Sequence, residues 1–229
     1  GGGGEGGQCG GGGVGYQTGG GEGREARPED ELGARLGTGR VDGQSREDSE
    51  ILQESRLRLI GGDETTRHVM TGGLEQLLLH PDQKQKLIDD PSKIDVAIEA
   101  MLRWVSPLVN MNRTVTHDTE LHGEPLREGD LVLLLYPAGN RDDRAFENPD
   151  AFNIERWPNR HVAFGGYGVH HCLGASLARL ELKILFEQVL KRMPDIHLAS
   201  EAPLKRRPNN FITGIEAMPV VFSPGPRAS

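Results

Sequence analysis

The chain has 229 residues, 35% of them hydrophobic, and a formal net charge of −8 from 26 basic and 34 acidic side chains. That length gives one or two domains with room for a sizeable core, and the acidic balance argues against nonspecific nucleic-acid binding. The longest apolar run, Leu131–Tyr136, falls far short of the roughly 18 residues of a membrane span. Two cysteines, Cys9 and Cys172, make no disulfide framework, and no charged-then-apolar leader opens the chain. The expectation is a soluble, cytoplasmic protein in a reducing compartment.

Fifteen of the 32 glycines lie in residues 1–23, in runs such as Gly1–Gly4 and Gly10–Gly13. With little to bury, this segment reads as a disordered tail. No Lys-Ser/Thr pair follows it, as a phosphate-cradling loop would require. Residues 24–223 form the body, and 224–229 a second disordered end. Pro28-Glu29-Asp30-Glu31 makes a good first helical turn, continued by Leu32 and Leu36 and broken over Gly37–Gly43. Asp48 opens a much longer helix that Pro81 stops after His80. Within it, Gly61-Gly62 followed by Asp63-Glu64-Thr65-Thr66 is a local defect, each glycine costing about 1 kcal/mol relative to alanine. Shorter helices follow over Asp82–Asp89 and Ser92–Trp104. Met111–Thr116 reads as extended, His122–Pro125 and Arg127–Asp130 as turns, and Leu131–Tyr136 as a buried strand. Residues 137–171 read as irregular, Leu173–Arg192 as the last long helix, and Ile196–Phe222 as short strands. The fold class is mainly α with small β-sheets.

The densest chemistry lies in Phe164-Gly165-Gly166-Tyr167-Gly168-Val169-His170-His171-Cys172-Leu173-Gly174. A glycine-rich loop lets backbone approach a ligand closely, and a helix start favours the thiolate form of a cysteine placed there. A metal centre with one protein ligand suits this arrangement. Zinc held by His170, His171 and Cys172, a catalytic cysteine beside a histidine, and a buried structural cysteine are the alternatives. Adjacent residues converge poorly on one tetrahedral ion, and a structural cysteine leaves the glycines unexplained.

The loop resembles the haem-binding signature of the cytochrome P450 family, Phe-Gly-x-Gly-x-His/Arg-x-Cys-x-Gly. Gly166, Gly168, His170, Cys172 and Gly174 match, while Phe164 stands one residue early. The resemblance implies that Cys172 is the axial ligand of haem b iron. It also implies that the chain is the C-terminal half of that fold, a truncated member whose front half lies outside it. Gly61-Gly62-Asp63-Glu64-Thr65 resembles the family's oxygen-activation motif, in which the glycines open a helical turn and Glu64 and Thr65 deliver protons. The family's Glu-x-x-Arg pair is matched at Arg103, but Ala100 stands in the glutamate position and Glu99 lies at i−4. A Glu99–Arg103 pair remains feasible on a helix, with Arg156 as third member of the network, so the expectation is a half-satisfied arrangement. Arg113, like His170, resembles a haem-propionate partner. Residues 107–111 and 209–213 resemble substrate-lining segments. The wording of Gly61–Thr71, Glu120–Pro125 and His161–Glu181 is similar to that of actinobacterial sterol-oxidising members.

The activity so implied is insertion of one oxygen atom of O2 into a small apolar, steroid- or lipid-like substrate. Electrons would come from NAD(P)H through a reductase and a ferredoxin-type donor. Arg160, Arg179, Lys183, Lys191 and Arg192 offer such an acidic donor a docking face, or merely complement a helix end. The alternative is a non-catalytic haem-binding remnant.

Overall fold

The computed structural model describes residue 35 and residues 37–225. The expectations for residues 1–23, for the turn at Pro28, for Leu32 and Leu36, and for residues 226–229 lie outside the described residues. The chain divides into two units, residues 1–63 and 64–229.

In the first unit, β1 (Arg40–Val41) and β2 (Gln44–Ser45) pair antiparallel. Asp42 and Gly43 between them both have positive φ, the two-residue turn whose twist matches a hairpin. Helix α1 spans Asp48–Leu79 and contains the unit boundary. It opens on acids that complement the helix dipole and is stopped by Pro81. The helix is unbroken through Gly61-Gly62, which corrects the expected opened turn. Two glycines lower helix stability without removing any i→i−4 hydrogen bond, so strong flanking helix formers carry the helix through.

In the second unit, α2 (Pro81–Asp89) starts with proline at its first position, where the missing N–H costs nothing. A 3₁₀ turn over Pro91–Lys93, capped by the Asp90 side chain, leads into α3 (Ile94–Val105). Ser106, at φ 40°, ends α3 in the left-handed conformation. β3 (Asn110–Thr114) pairs antiparallel with β6 (Leu131–Leu135), in the register Asn110↔Leu135 to Thr114↔Leu131. Between them β4 (Thr119–Leu121) and β5 (Glu124–Leu126) form a hairpin turning on His122-Gly123, both at positive φ. The expected burial of Leu131–Tyr136 is corrected: Leu131, Leu133, Leu134 and Leu135 are exposed, and Tyr136 begins the short helix α4 (Tyr136–Gly139). An apolar run reads as buried, but strand side chains project from the faces of the sheet and are buried only where another element covers those faces. Helix α5 spans Ala175–Arg192, and β7 (His197–Leu198) pairs with β8 (Val220–Val221).

The core lies where α3 and α5 meet the end of α1. Ile98, Met101 and Leu102 of α3 pack with Leu182, Phe186 and Leu190 of α5, Val69 and Leu77 of α1, Leu87 of α2, and Phe152 and Ile154. Each such burial contributes about 1.5–3 kcal/mol. Gly72 and Gly73 let α1 come close: a β-carbon on Gly73 would stand 3.0 Å from Met101 Sδ and 3.1 Å from Phe186 Cζ. This packing fixes α5, the helix that the cysteine loop leads into, against α3.

Candidate active site

The loop is closed by two backbone bonds: the Gly165 N–H donates to Val162 O (2.9 Å) and the Cys172 N–H to Phe164 O (3.0 Å). Gly165 (φ 85°) and Gly168 (φ 147°) hold conformations that residues with a β-carbon rarely adopt. Gly174 is the N-cap of α5, so Cys172 stands two residues before that cap and its carbonyl receives the Ala175 N–H at 3.3 Å. The thiol is free and exposed. His170, His171, Tyr167, Val169 and Leu173 are exposed too, the last three at 93%, 96% and 83%. A β-carbon on Gly166 or Gly168 would meet no atom within 4 Å. An accessible thiol amid bare glycines and uncovered apolar side chains suits a flat apolar group with a metal at its centre. Among the described residues no three His, Cys, Asp or Glu side chains gather to hold a bare ion.

Phe164, despite its shift, is partly buried against the core, with the Arg179 guanidinium 4.6 Å from its ring centroid. Arg179, on α5, belongs to a cluster centred on Glu99 of α3. Its Nε and Nη2 donate to the two Glu99 oxygens at 2.6 and 2.9 Å. His161 Nε2 lies 2.9 Å from Glu99 Oε2, and the Ala163 N–H donates to His161 Nδ1 at 3.2 Å, which makes Nε2 the protonated nitrogen. Burial alone would push the Glu99 carboxyl up. The hydrogen bonds from Arg179 and His161 outweigh it and bring the pKa down to about 2. Hydrogen bonding to Glu99 in turn raises Arg179, with Cys172 adding a smaller attraction. Glu99 therefore ties α3 to α5 and to the entrance of the cysteine loop.

This corrects the Glu99–Arg103 pair. Arg103, 1% exposed, makes no ion pair among the described residues. Its Nη1 donates to the carbonyls of Asn140 (2.7 Å) and Pro149 (3.0 Å), and its Nη2 to that of Ala151 (3.3 Å). The reason is angular: the i−3 and i−4 positions lie about 100° apart, on opposite sides of Arg103, and Glu99 is on the side where Arg179 of α5 and His161 compete for its carboxylate. Burial, with Arg156 and Arg141 nearby, lowers Arg103 to about 10. Half-buried Arg156 donates to the carbonyls of Glu147, Asn148 and Ala151. Asn140, fully buried and not singled out in the sequence, donates to Ser106 Oγ (2.6 Å) and accepts the Val162 N–H (2.7 Å). It joins the end of α3 to the start of the cysteine loop, and no local pattern marks it.

Glu64 and Thr65 are half-buried on α1. Both Glu64 oxygens accept from Arg207 Nη1 at 2.9 Å, and Oε1 also from Arg67 Nη2 at 3.0 Å. The Arg207 hydrogen bond holds the Glu64 carboxyl below its ordinary range. Arg113 is exposed on β3 and donates to Asn112 O. Of the five cations read as a docking face, Arg179 is engaged by Glu99 and Lys183 by Asp95 at 2.9 Å, while Arg160, Lys191 and Arg192 are exposed.

Residues 27–194 match the family described as cytochrome P450. The chain belongs to the cytochrome P450 family. It is 52% identical over 201 residues to the steroid C26-monooxygenase of Mycolicibacterium smegmatis, covering 88% of this chain and 50% of that protein. A methyl-branched lipid omega-hydroxylase of Mycobacterium bovis is 39% identical over 203 residues, covering 88% of this chain and 47% of its own length. Among solved structures, the bacillaene polyketide synthase cytochrome P450 of Bacillus subtilis superposes with a TM-score of 0.85 at 38% identity, covering 91% of this chain and 54% of that one. This P450 chain thus spans about half the length of the relatives it matches. Its mainly α architecture with small sheets is the one expected from its sequence.

Proposed function

We propose that this chain holds the haem of a haem-thiolate monooxygenase acting on an apolar, steroid- or lipid-like substrate in the cytoplasm. The observation that carries the reading is the free, exposed Cys172 thiol on a loop of left-handed glycines at the entry to α5. The relatives named for steroid and branched-lipid oxidation support the substrate class. Haem b, when bound, supplies dioxygen activation and transfer of one oxygen atom, the other leaving as water. Cys172 Sγ is its protein ligand, with Gly166, Gly168 and Gly174 leaving room for close approach and Phe164 backing the loop. His170 and Arg113 are donors suited to the propionates. Glu64 and Thr65 hold and pass protons. Arg207 favours the carboxylate form of Glu64, so loosening that ion pair makes proton uptake there easier. Electrons come from NAD(P)H by way of a reductase and a ferredoxin-type donor, which docks on the exposed Arg160, Lys191 and Arg192.

A second reading, a haem-binding but non-catalytic piece, is favoured by the outer face of α5. Leu177, Leu180 and Ile184 are 60%, 53% and 53% exposed there, opposite the buried Leu182, Phe186 and Leu190. A helix apolar on two faces is built to be covered on both.

The test is the carbon-monoxide difference spectrum of the reduced, haem-reconstituted chain. A thiolate-type Soret band is expected, kept in Cys9→Ser and lost in Cys172→Ser. Persistence of the band in Cys172→Ser refutes the ligand assignment. A Soret shift on adding a steroid or branched lipid supports the monooxygenase, whereas haem binding without that shift supports the remnant.

A further inference from the structure

Arg103 and Arg156 stand together on one stretch of backbone. Both donate Nη2 to the same acceptor, Ala151 O, at 3.3 and 3.5 Å. Their other terminal hydrogen bonds go to the carbonyls of Asn140, Glu147, Asn148 and Pro149. Each guanidinium has one nitrogen with no partner at all: Nε of Arg103 and Nε of Arg156 are both buried and hydrogen-bonded to nothing among the described residues. Charge is unbalanced in the same place. Arg141 is the third cation of the group, and the acid near them, Asp150, is 87% exposed at its side chain and lies 3.7 Å from Arg141 Nε. The rings of Trp104 and Phe146 flank Arg103, with centroids 5.8 and 5.1 Å from its Cζ. Aromatic faces and carbonyl dipoles offset part of the cost of burying a guanidinium, but they leave both Nε–H donors unpaired and the net charge unchanged. The residue three positions before Arg103 on α3, and so on the same helix face, is Ala100, 2% exposed, which brings no acceptor.

We propose that Arg103 and Arg156 form a subsite for a small monovalent carboxylate such as formate or acetate. The stoichiometry fits: the two buried, partnerless Nε–H donors, one from each arginine, match the two oxygens of one carboxylate, and one negative charge meets an uncompensated pair. Arg156 is only half-buried, so the anion enters from its side. The carboxylate stands in for a side chain that Ala100 does not provide. The subsite is independent of haem and of the monooxygenase reading.

The experiment titrates the full 229-residue chain, without haem, with sodium formate at constant ionic strength made up with sodium chloride. It follows the thermal midpoint and, in parallel, the line width of 13C-formate. The wild type should show a saturable rise in midpoint and broadening of the formate line. Ala100→Glu should raise the midpoint in chloride alone and abolish both formate responses, because its own carboxylate fills the subsite. Ala100→Gln, which is neutral, should keep most of the response. Since Ala100→Glu is expected to be more stable than the wild type, its loss of response does not report unfolding. An unsaturable or equal formate effect in wild type and Ala100→Glu, or an equal effect of chloride, overturns the subsite. So does the absence of any formate effect in the wild type, which would mean that water satisfies the two donors.

Discussion

Glu99→Gln separates an electrostatic brace from mere packing. The fall of the Glu99 pKa from 4.5 to about 2 corresponds to about 3 kcal/mol at about 1.36 kcal/mol per pKa unit. The main partner, Arg179, is 40% exposed at its side chain, against 19% for Glu99, so solvent screening reduces the expected contribution to about 2 kcal/mol. The sign follows from the direction. A carboxylate whose folded pKa is depressed adds stability that is fully present above its unfolded pKa of about 4.5. That stability is lost as pH falls through the window from about 4.5 to about 2. Urea unfolding of the haem-reconstituted chain, followed by circular dichroism at pH 7, 5, 4 and 3, reads this directly. Glu99→Gln should be about 2 kcal/mol less stable at pH 7, and the gap should narrow steadily below pH 4.5. Asp142, whose pKa is also lowered to about 2 by Arg144, titrates alike in both proteins and cancels from the difference. A gap that stays constant with pH means that Glu99 acts by shape or hydrogen bonding alone, and the ion-pair reasoning is then wrong.

The other expectations are narrower. Arg207→Ala should raise the Glu64 carboxyl pKa toward its ordinary value, read by carboxylate NMR titration; an unmoved titration would show that Arg207 does not hold Glu64 in solution. Gly73→Ala should destabilise the chain by about 1–3 kcal/mol, because its new methyl meets Met101 and Phe186 at 3.0–3.1 Å inside the core. Gly61→Ala, where a β-carbon meets nothing within 4 Å, should instead stabilise by about 1 kcal/mol, and comparing the two melts checks both.

What was legible in the sequence was local. Apolar spacing and proline stops placed α1, α2, α3 and α5 within a few residues, and positive-φ residue types marked the His122-Gly123 turn. The cysteine loop was legible because glycines, histidine and a lone thiol occur together at fixed spacing. What was illegible depends on non-local partners. Nothing around Arg103 announces that carbonyls 37 to 48 residues away will surround it, and nothing around Asn140 announces its bonds to Ser106 and Val162. Leu131–Leu135 misled for the same reason: an apolar strand is buried only if something covers it. Gly61-Gly62 and Gly72-Gly73 look alike in the sequence. Only the fold distinguishes glycines that permit close packing from glycines that merely weaken a helix.

The exchange of positions on α3 has a structural consequence larger than one side chain. A carboxylate three residues before Arg103 would stand on the opposite side of that arginine from Glu99. One residue earlier, Glu99 reaches across to α5 and the histidine that opens the cysteine loop. The same negative charge thus ties helix to helix through the loop, while the arginine pair is left to backbone oxygens. The two halves of this exchange make opposite demands. Removing charge at position 99 should weaken the coupling of α3 to α5, whereas adding charge at position 100 should satisfy Arg103 and Arg156 without disturbing it, since about 100° of helix separates the two side chains. Glu99 and Ala100 are therefore separate determinants, and because they are adjacent on the chain a double-mutant cycle of Glu99→Gln and Ala100→Glu measures how strongly their effects on stability couple.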